Sequence, residues 1–301
     1  MYMKIEWVVK EKQKTTVKAF LHNKNISKRI LAKVKFQGGR IEVNGQASRV
    51  RTELEEGDTI SITLPIEESN ETLIPSYKPI SILYEDDHYL LVNKPAGIAS
   101  VPSPVHRLDT MTNRVKGYIE EQAYLHQTIH VVSRLDRETS GVMIFAKHTL
   151  AHSYLDALLK DKSIHREYVA FAEGHVRDKH GFIDEPISRS EESIIKRKVH
   201  ESGKQSMTEY WVKNHYEQAT ELKVQLHTGR THQIRVHFAH IGHPLVGETL
   251  YKDSNEQPAI DRQALHCFKV RFVHPFSGVT IEIIAPLPGD LTELKNHLRG
   301  I

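Results

Sequence analysis

Cysteine is nearly missing from this chain of 301 residues: Cys267 stands alone, so no intramolecular disulfide and no cysteine-rich zinc site can be built. Long apolar runs are missing as well. No stretch approaches the ~20 residues that span a bilayer, and the opening string MYMKIEWVVKEKQK has no signal-peptide core before its lysines. The expectation is a cytoplasmic protein that does not enter a membrane. There is no G-x-x-x-x-G-K-[ST] loop, no G-x-G-x-x-G turn and no CxxC pair, so the motifs that cradle nucleotide phosphates or carry dithiol chemistry are missing. What is present, 39% hydrophobic and 26% charged residues, is the composition of a globular protein long enough for one large domain and one small one.

The net charge of +3 hides an asymmetry. Residues 1–65 hold 13 Lys/Arg against 7 Asp/Glu, a balance of +6, while the remaining 236 carry 28 against 31, or −3. A local excess of this kind attracts polyanions through counterion release, although a merely solvated basic surface has the same composition.

Within that front block Ser27 can cap a helix whose Ile30, Leu31 and Val34 recur at helical spacing until Gly38 and Gly39 stop it, with Lys28, Arg29, Lys33 and Lys35 largely on the other side. A strand from Arg40 then runs into the Asn44-Gly45 turn, and Gly57-Asp58 turns into an alternating strand ending at Thr63. The strings ISKRILAKVKFQGGRIEVNGQ and GDTISI resemble the alpha-L RNA-binding motif shared by a small-subunit ribosomal protein and several RNA-modifying enzymes. The resemblance implies a module that grips structured RNA.

The polar, proline-marked residues 66–79 read as a linker. Beyond it, strands are expected at 80–84, 89–93, 141–146, 167–172, 221–226 and 279–285, with helices over 150–159 and 231–241. The fold class expected is therefore α+β: a larger domain at 80–301 built on a mixed, mainly antiparallel sheet, preceded by a small α+β RNA-binding domain at 1–65.

Chemistry is suggested by two stretches. In Ser133-Arg-Leu-Asp136-Arg-Glu-Thr-Ser-Gly141, an aspartate sits in a loop between an apolar approach and a buried strand, with Thr139, Ser140 and Gly141 available to turn the chain and aim the carboxylate. Read alone, the string is also compatible with a surface Arg-Asp loop. Farther on, Gly229 makes a turn and Thr231 can cap a helix whose Ile234, Phe238 and Ile241 share a face, which holds Arg230 and Arg235 near a helix start. A guanidinium there suits RNA phosphate or a buried carboxylate, and beside a desolvated acid it favours the charged form. His232, His237, His240 and His243 lack an acidic residue at the H-E-x-x-H spacing and spread round the helix, so packing or RNA contact is expected of them and no metal.

The strings LVNKPAGIASVPS, SRLDRETSGVMIFAK, HREYVAFAEG, LHTGRTHQIRVHFAHIGHPLVGE and ALHCFKVRFVHPFSGVTIEIIAPLP, in that order over more than 200 residues, resemble the RluA/RluD type of pseudouridine synthase. The resemblance implies Asp136 as catalytic carboxylate, Arg235 as its ion-pair partner and Tyr168 as the ring that stacks on the target base. It also implies Arg134 and Leu265 around the flipped nucleotide. Arg230 is taken as a further substrate-binding residue. The family usually has His where this chain has Ser133, and Asp where it has Glu248. Neither departure removes a group that the chemistry needs, and RNA contacts are where a difference is expected.

His106-Arg-Leu-Asp109 reproduces the family's His-Arg-Leu-Asp string more closely than the chosen segment does, but it lacks the Ser-Gly turn and apolar strand and continues over 113–121 as a surface-helix pattern. The chemistry implied is rupture of the C1′–N1 glycosidic bond, rotation of the uracil and joining of C1′ to C5. One carboxylate can start this as nucleophile or as base, and neither metal nor redox cofactor is needed. Two rivals are a non-catalytic RNA-binding protein and a glycoside hydrolase pairing Asp136 with Glu138. Ribosomal RNA of the large subunit is the favoured partner and transfer RNA the alternative, with a monomer as the default.

Overall fold

The structure is a computed structural model that describes residues 3–10, 12, 14–68, 71–252 and 259–300. Residues 69 and 70 of the expected linker and Asp253 of the Gly-Glu-Thr-Leu-Tyr-Lys-Asp string lie outside the described residues.

At the front, Lys4–Val8, Thr59–Thr63, Arg40–Val43 and Gln46–Ala47 form a four-stranded sheet in that order. Asn44 and Gly45 both have positive φ (51° and 78°), as a two-residue hairpin turn requires. Helix Lys28–Phe36 starts as expected, with Ser27 Oγ accepting from the Ile30 N–H at 3.2 Å. It buries Ile30 and Val34 and leaves Lys28, Arg29 and Lys35 exposed. The front core of Phe20, Leu21, Ile60 and Ile62 continues into Leu150 and Tyr154 of helix Thr149–Lys160, so the two parts of the chain share apolar surface.

The larger sheet has ten strands, antiparallel throughout except where Ser140–Ala146 runs parallel to Leu265–Val273. All seven residues of Ser140–Ala146 are buried. Val142 and Ile144 pack with Leu155 and Tyr168 on one face, and Met143 and Phe145 pack with Val115 and Ile119 of helix Met111–Glu121 on the other. Burial on both faces explains the unbroken apolar run in the sequence, and each such large side chain contributes roughly 1.5–3 kcal/mol. The expected mixed, mainly antiparallel α+β class is the one observed.

Three local expectations are corrected. Helix Met111–Glu121 is no surface helix: Asn113, Val115, Lys116, Gly117 and Ile119 are buried. The cover comes from the supposed linker, whose Leu73 and Ile74 carbonyls accept from Lys116 Nζ and Asn113 Nδ2 at 2.6 Å each. A Cβ on Gly117 would lie 2.3 Å from the Ser76 carbonyl oxygen. Glu67 is likewise pinned, accepting from Thr149 N and Oγ1 at 2.7 Å, so this segment is a strap bound to the large sheet's helices. The third correction concerns helix Gln233–His240, which is preceded by His232 in the left-handed region (φ 59°) without a side-chain cap; Thr231 does not cap it, and Ile241 lies beyond it, 37% exposed.

Candidate active site

The loop 132–139 joins the short strand His130–Val131 to Ser140–Ala146, and it is held from four sides. Ser100 Oγ donates to the Leu135 carbonyl at 2.6 Å and accepts from the Leu135 N–H at 3.0 Å. Lys94, fully buried, donates to the Arg137 carbonyl at 2.8 Å and to the Pro95 and Ile98 carbonyls. Burial pulls this ammonium down to about 7, with Asp136 opposing. Arg262 donates to the Glu138 carbonyl at 3.1 Å, and Gln263 Nε2 to Thr139 Oγ1 at 3.2 Å. The loop exits through Gly141 at φ +114°, where a Cβ would lie 2.2 Å from the Cys267 carbonyl oxygen. Only glycine allows the parallel strand to approach there. Ser140 does not aim the carboxylate; its hydroxyl meets His266 Nδ1 at 2.9 Å.

Asp136 ends up one-quarter exposed, with Oδ2 3.5 Å from Arg235 Nη1. The rest of that guanidinium is committed elsewhere. Nε and Nη2 of Arg235 donate to the two oxygens of Glu248 at 2.7 Å each, and the Glu248 side chain is fully buried. Burial opposes both charges, but each partner's hydrogen bonds and charge outweigh it, lowering the Glu248 pKa and raising that of Arg235. Glu248 is thus placed behind the arginine and not where it could touch RNA, against expectation. Ser133 is buried as well, its hydroxyl accepting from the Ile144 N–H at 3.0 Å.

Sequence reasoning missed two neighbours. His232 Nε2 is 3.9 Å from Asp136 Oδ1, and His232 Nδ1 is 2.6 Å from the Tyr251 hydroxyl. The Tyr251 oxygen also accepts from the Arg197 N–H at 3.1 Å, so one ring nitrogen of His232 is bonded and the other faces Asp136. Burial lowers the His232 pKa, with Asp136 opposing, and raises that of Tyr251 to about 12. The left-handed backbone of His232 is the signal that marks the position, and no periodicity reveals it.

Asp136 opens into a cleft of about 1140 Å³ whose walls include Arg134, Tyr168, Arg230, Arg235 and Leu265, so the six expected site residues converge. Arg134 and Arg230 are exposed, and Arg230 is steadied by two bonds of 3.2 Å to the Gln205 carbonyl. Tyr168 is 4% exposed, and burial, followed by Cys267, raises its pKa far above the ordinary value, so the hydroxyl keeps its proton. Six cations line the cleft (Arg134, Arg137, Lys160, Arg166, Arg230, Arg235) against Asp136 and Asp156. Such walls attract a polyanion.

The competing residues are engaged elsewhere. Asp109 accepts from Ser76 Oγ, Lys78 Nζ, and both Nε and Nη2 of Arg114 at 2.6–3.1 Å. Arg114's hydrogen bonds dominate in driving its pKa well below the usual carboxylate range. Glu138 pairs with Arg137 Nε at 2.6 Å and does not line the cleft, which removes the paired-carboxylate geometry. His237 and His243 bind the Glu185 and Glu173 carbonyls. Among the described residues no group of three or more His, Cys, Asp or Glu side chains is placed to hold a metal ion.

Comparison with known proteins points to one family. Residues 88–240 match the family described as RNA pseudouridylate synthase. The chain is 40% identical over 285 residues to the uncharacterized RNA pseudouridine synthase YjbO of Bacillus subtilis, covering 94% of this chain and 100% of that one. It is 36% identical over 274 residues to ribosomal large subunit pseudouridine synthase D of Escherichia coli, covering 87% and 83% respectively. The solved structure of human RNA pseudouridylate synthase domain containing 4 has the same fold, with a TM-score of 0.60 at 21% identity over 73% of this chain and 93% of that one.

Proposed function

We propose that this chain, which belongs to the RNA pseudouridylate synthase family and is an isomerase converting uridine to pseudouridine in RNA, acts on ribosomal RNA of the large subunit in the cytoplasm, as a monomer. The substrate assignment is supported by the large-subunit enzyme among its relatives. In this reading Asp136 is the catalytic carboxylate, and the observation that carries it is the Arg235 Nη1 contact at 3.5 Å inside a cation-lined cleft. Arg235 pairs with the carboxylate, and Glu248 positions Arg235.

The reaction breaks C1′–N1, turns the uracil and joins C1′ to C5; the C5 proton leaves and N1 gains one. Asp136 starts it by attacking the sugar or by taking a sugar proton. The uridine leaves its helix and stacks on Tyr168, at ~1–3 kcal/mol per stacked base. Burial raises the pKa of the Tyr168 phenol, and its ring serves as the platform. Arg134, Arg230 and Leu265 border the nucleotide. Residues 1–65 are read as the alpha-L RNA-binding domain, 66–79 as the connection and 80–301 as the catalytic domain.

The test is tritium release from unmodified transcripts of large-subunit ribosomal RNA and of transfer RNA carrying C5-labelled uridine. Release from the ribosomal transcript is expected. Release from transfer RNA alone would overturn the substrate assignment.

A further inference from the structure

Arg166 lies two residues before Tyr168 on strand His165–Glu173, so both side chains leave the sheet on one face, and both line the cleft. Its Nε is buried without a hydrogen-bond partner, and no carboxylate pairs with its guanidinium among the described residues. Three of the other cleft arginines are engaged: Arg235 holds Glu248, Arg137 holds Glu138, and Arg230 holds the Gln205 carbonyl, while Arg134 is exposed to solvent. A buried, unsatisfied cationic donor is costly unless a ligand completes it.

The turn above it is shaped to admit that guanidinium. Gly229 does not have a positive φ, so its backbone suits any L-residue. The only atoms a Cβ there would meet within 4 Å are Arg166 Nη2 at 3.3 Å and Nη1 at 3.9 Å. Glycine at this position leaves the guanidinium its full room, which a Cβ would narrow by a few tenths of an ångström.

We propose that Arg166, under Gly229, is an anion subsite that binds a backbone phosphate of the RNA, next to the uridine stacked on Tyr168. Two strand residues span roughly 6.8 Å, a separation suited to a base on the ring and a phosphate of the same strand on the guanidinium. A planar fork with free donors binds phosphate oxygens through paired hydrogen bonds. This rests on the function proposed above.

The test measures binding of an unmodified large-subunit ribosomal RNA transcript over a salt series, in an Asp136→Asn background so that no turnover intervenes. Arg166→Gln is expected to weaken binding roughly 10-fold or more and to flatten the slope of log K against log salt by ~0.7–0.9. Arg166→Lys should keep the slope. Gly229→Ala should weaken binding several-fold with Arg166 present and have no effect with Arg166→Gln. An unchanged slope in Arg166→Gln overturns the subsite. Should that variant not fold, Gly229→Ala decides alone, and unchanged affinity rejects the proposal. Tritium release by the parent chain separates this outcome from failure of the proposed function, which would show as no release from any RNA.

Discussion

The chain contains Arg-Leu-Asp twice, at 107–109 and at 134–136, and the two aspartates have opposite surroundings. Asp109 is saturated: a serine, a lysine and both prongs of Arg114 fill its oxygens. Asp136 has no hydrogen bond to either oxygen among the described residues, only Arg235 at 3.5 Å and His232 at 3.9 Å. The same Nε/Nη2 fork that grips Asp109 is used by Arg235 on Glu248, which leaves a single N–H edge for Asp136. A carboxylate meant to hold structure is surrounded by donors. One meant to react is aimed by its backbone and keeps its lone pairs available. The sharpest way to break this contrast is to neutralise each acid. Asp136→Asn is expected to lower tritium release by roughly 10⁴-fold or more, and Asp109→Asn to leave it within about threefold. A reversal would transfer the chemistry to Asp109.

The second-largest effect should come from the support one step behind. Glu248→Gln keeps the shape but removes the charge opposite a buried guanidinium, a change that typically costs a protein about 3–5 kcal/mol. Turnover is expected to fall roughly 10- to 100-fold, by analogy with lost orienting partners, with little change in KM. Glu248→Asp should recover part of the loss. An unaltered kcat in Glu248→Gln would show that Arg235 needs no positioning.

A milder perturbation separates the basic front from the cleft. Lys28, Arg29 and Lys35 are exposed on helix Lys28–Phe36. Changing all three to Gln should flatten the salt dependence of RNA binding by ~0.9 for each phosphate that is no longer neutralised, while kcat at saturating RNA stays within about twofold. Deleting residues 1–65 is a poorer test, because it would strip Leu150 and Tyr154 of their core partners. An unchanged slope would assign RNA capture to the cleft alone.

Local rules made much of this legible in advance. The Ser27 cap, the Asn44-Gly45 turn and the buried strand Ser140–Ala146 each depend on neighbours within a few residues, and sequence shows them directly. The catalytic loop could be placed, but not its anchors, because Lys94, Ser100, Arg262 and Gln263 reach it from 35 to 124 residues away. Glu248 was read as bearing on RNA contacts for the same reason: the role of a residue after a helix depends on which way the chain returns. The cationic cleft was hidden by arithmetic, since residues 66–301 sum to −3 although six cations gather on its walls. The strap fooled a reading based on periodicity, since it is held by backbone carbonyls and scattered polar side chains and not by an apolar repeat.

The smallest expected effect contrasts the two aspartates by pH. The Asp109 pKa lies below its ordinary 3.8, so its contribution to stability is fully present above that value and is lost as pH falls beneath it. Asp109→Asn should therefore cost about 1–3 kcal/mol at neutral pH, and the deficit should shrink below pH 3.8. A larger acid effect acts on every variant alike. Burial lowers His148 to about 3 and His266 to about 4 from 6.5, so unfolded chains take up those protons first and stability falls as pH drops below 6.5. Subtracting wild-type denaturation curves at each pH removes that common slope. Asp136→Asn should then show a smaller deficit at neutral pH than Asp109→Asn, because that carboxylate has an ion pair but no hydrogen bond to lose. A deficit equal to that of Asp109→Asn would mean that both acids are structural, and the division of labour between the two strings would fail.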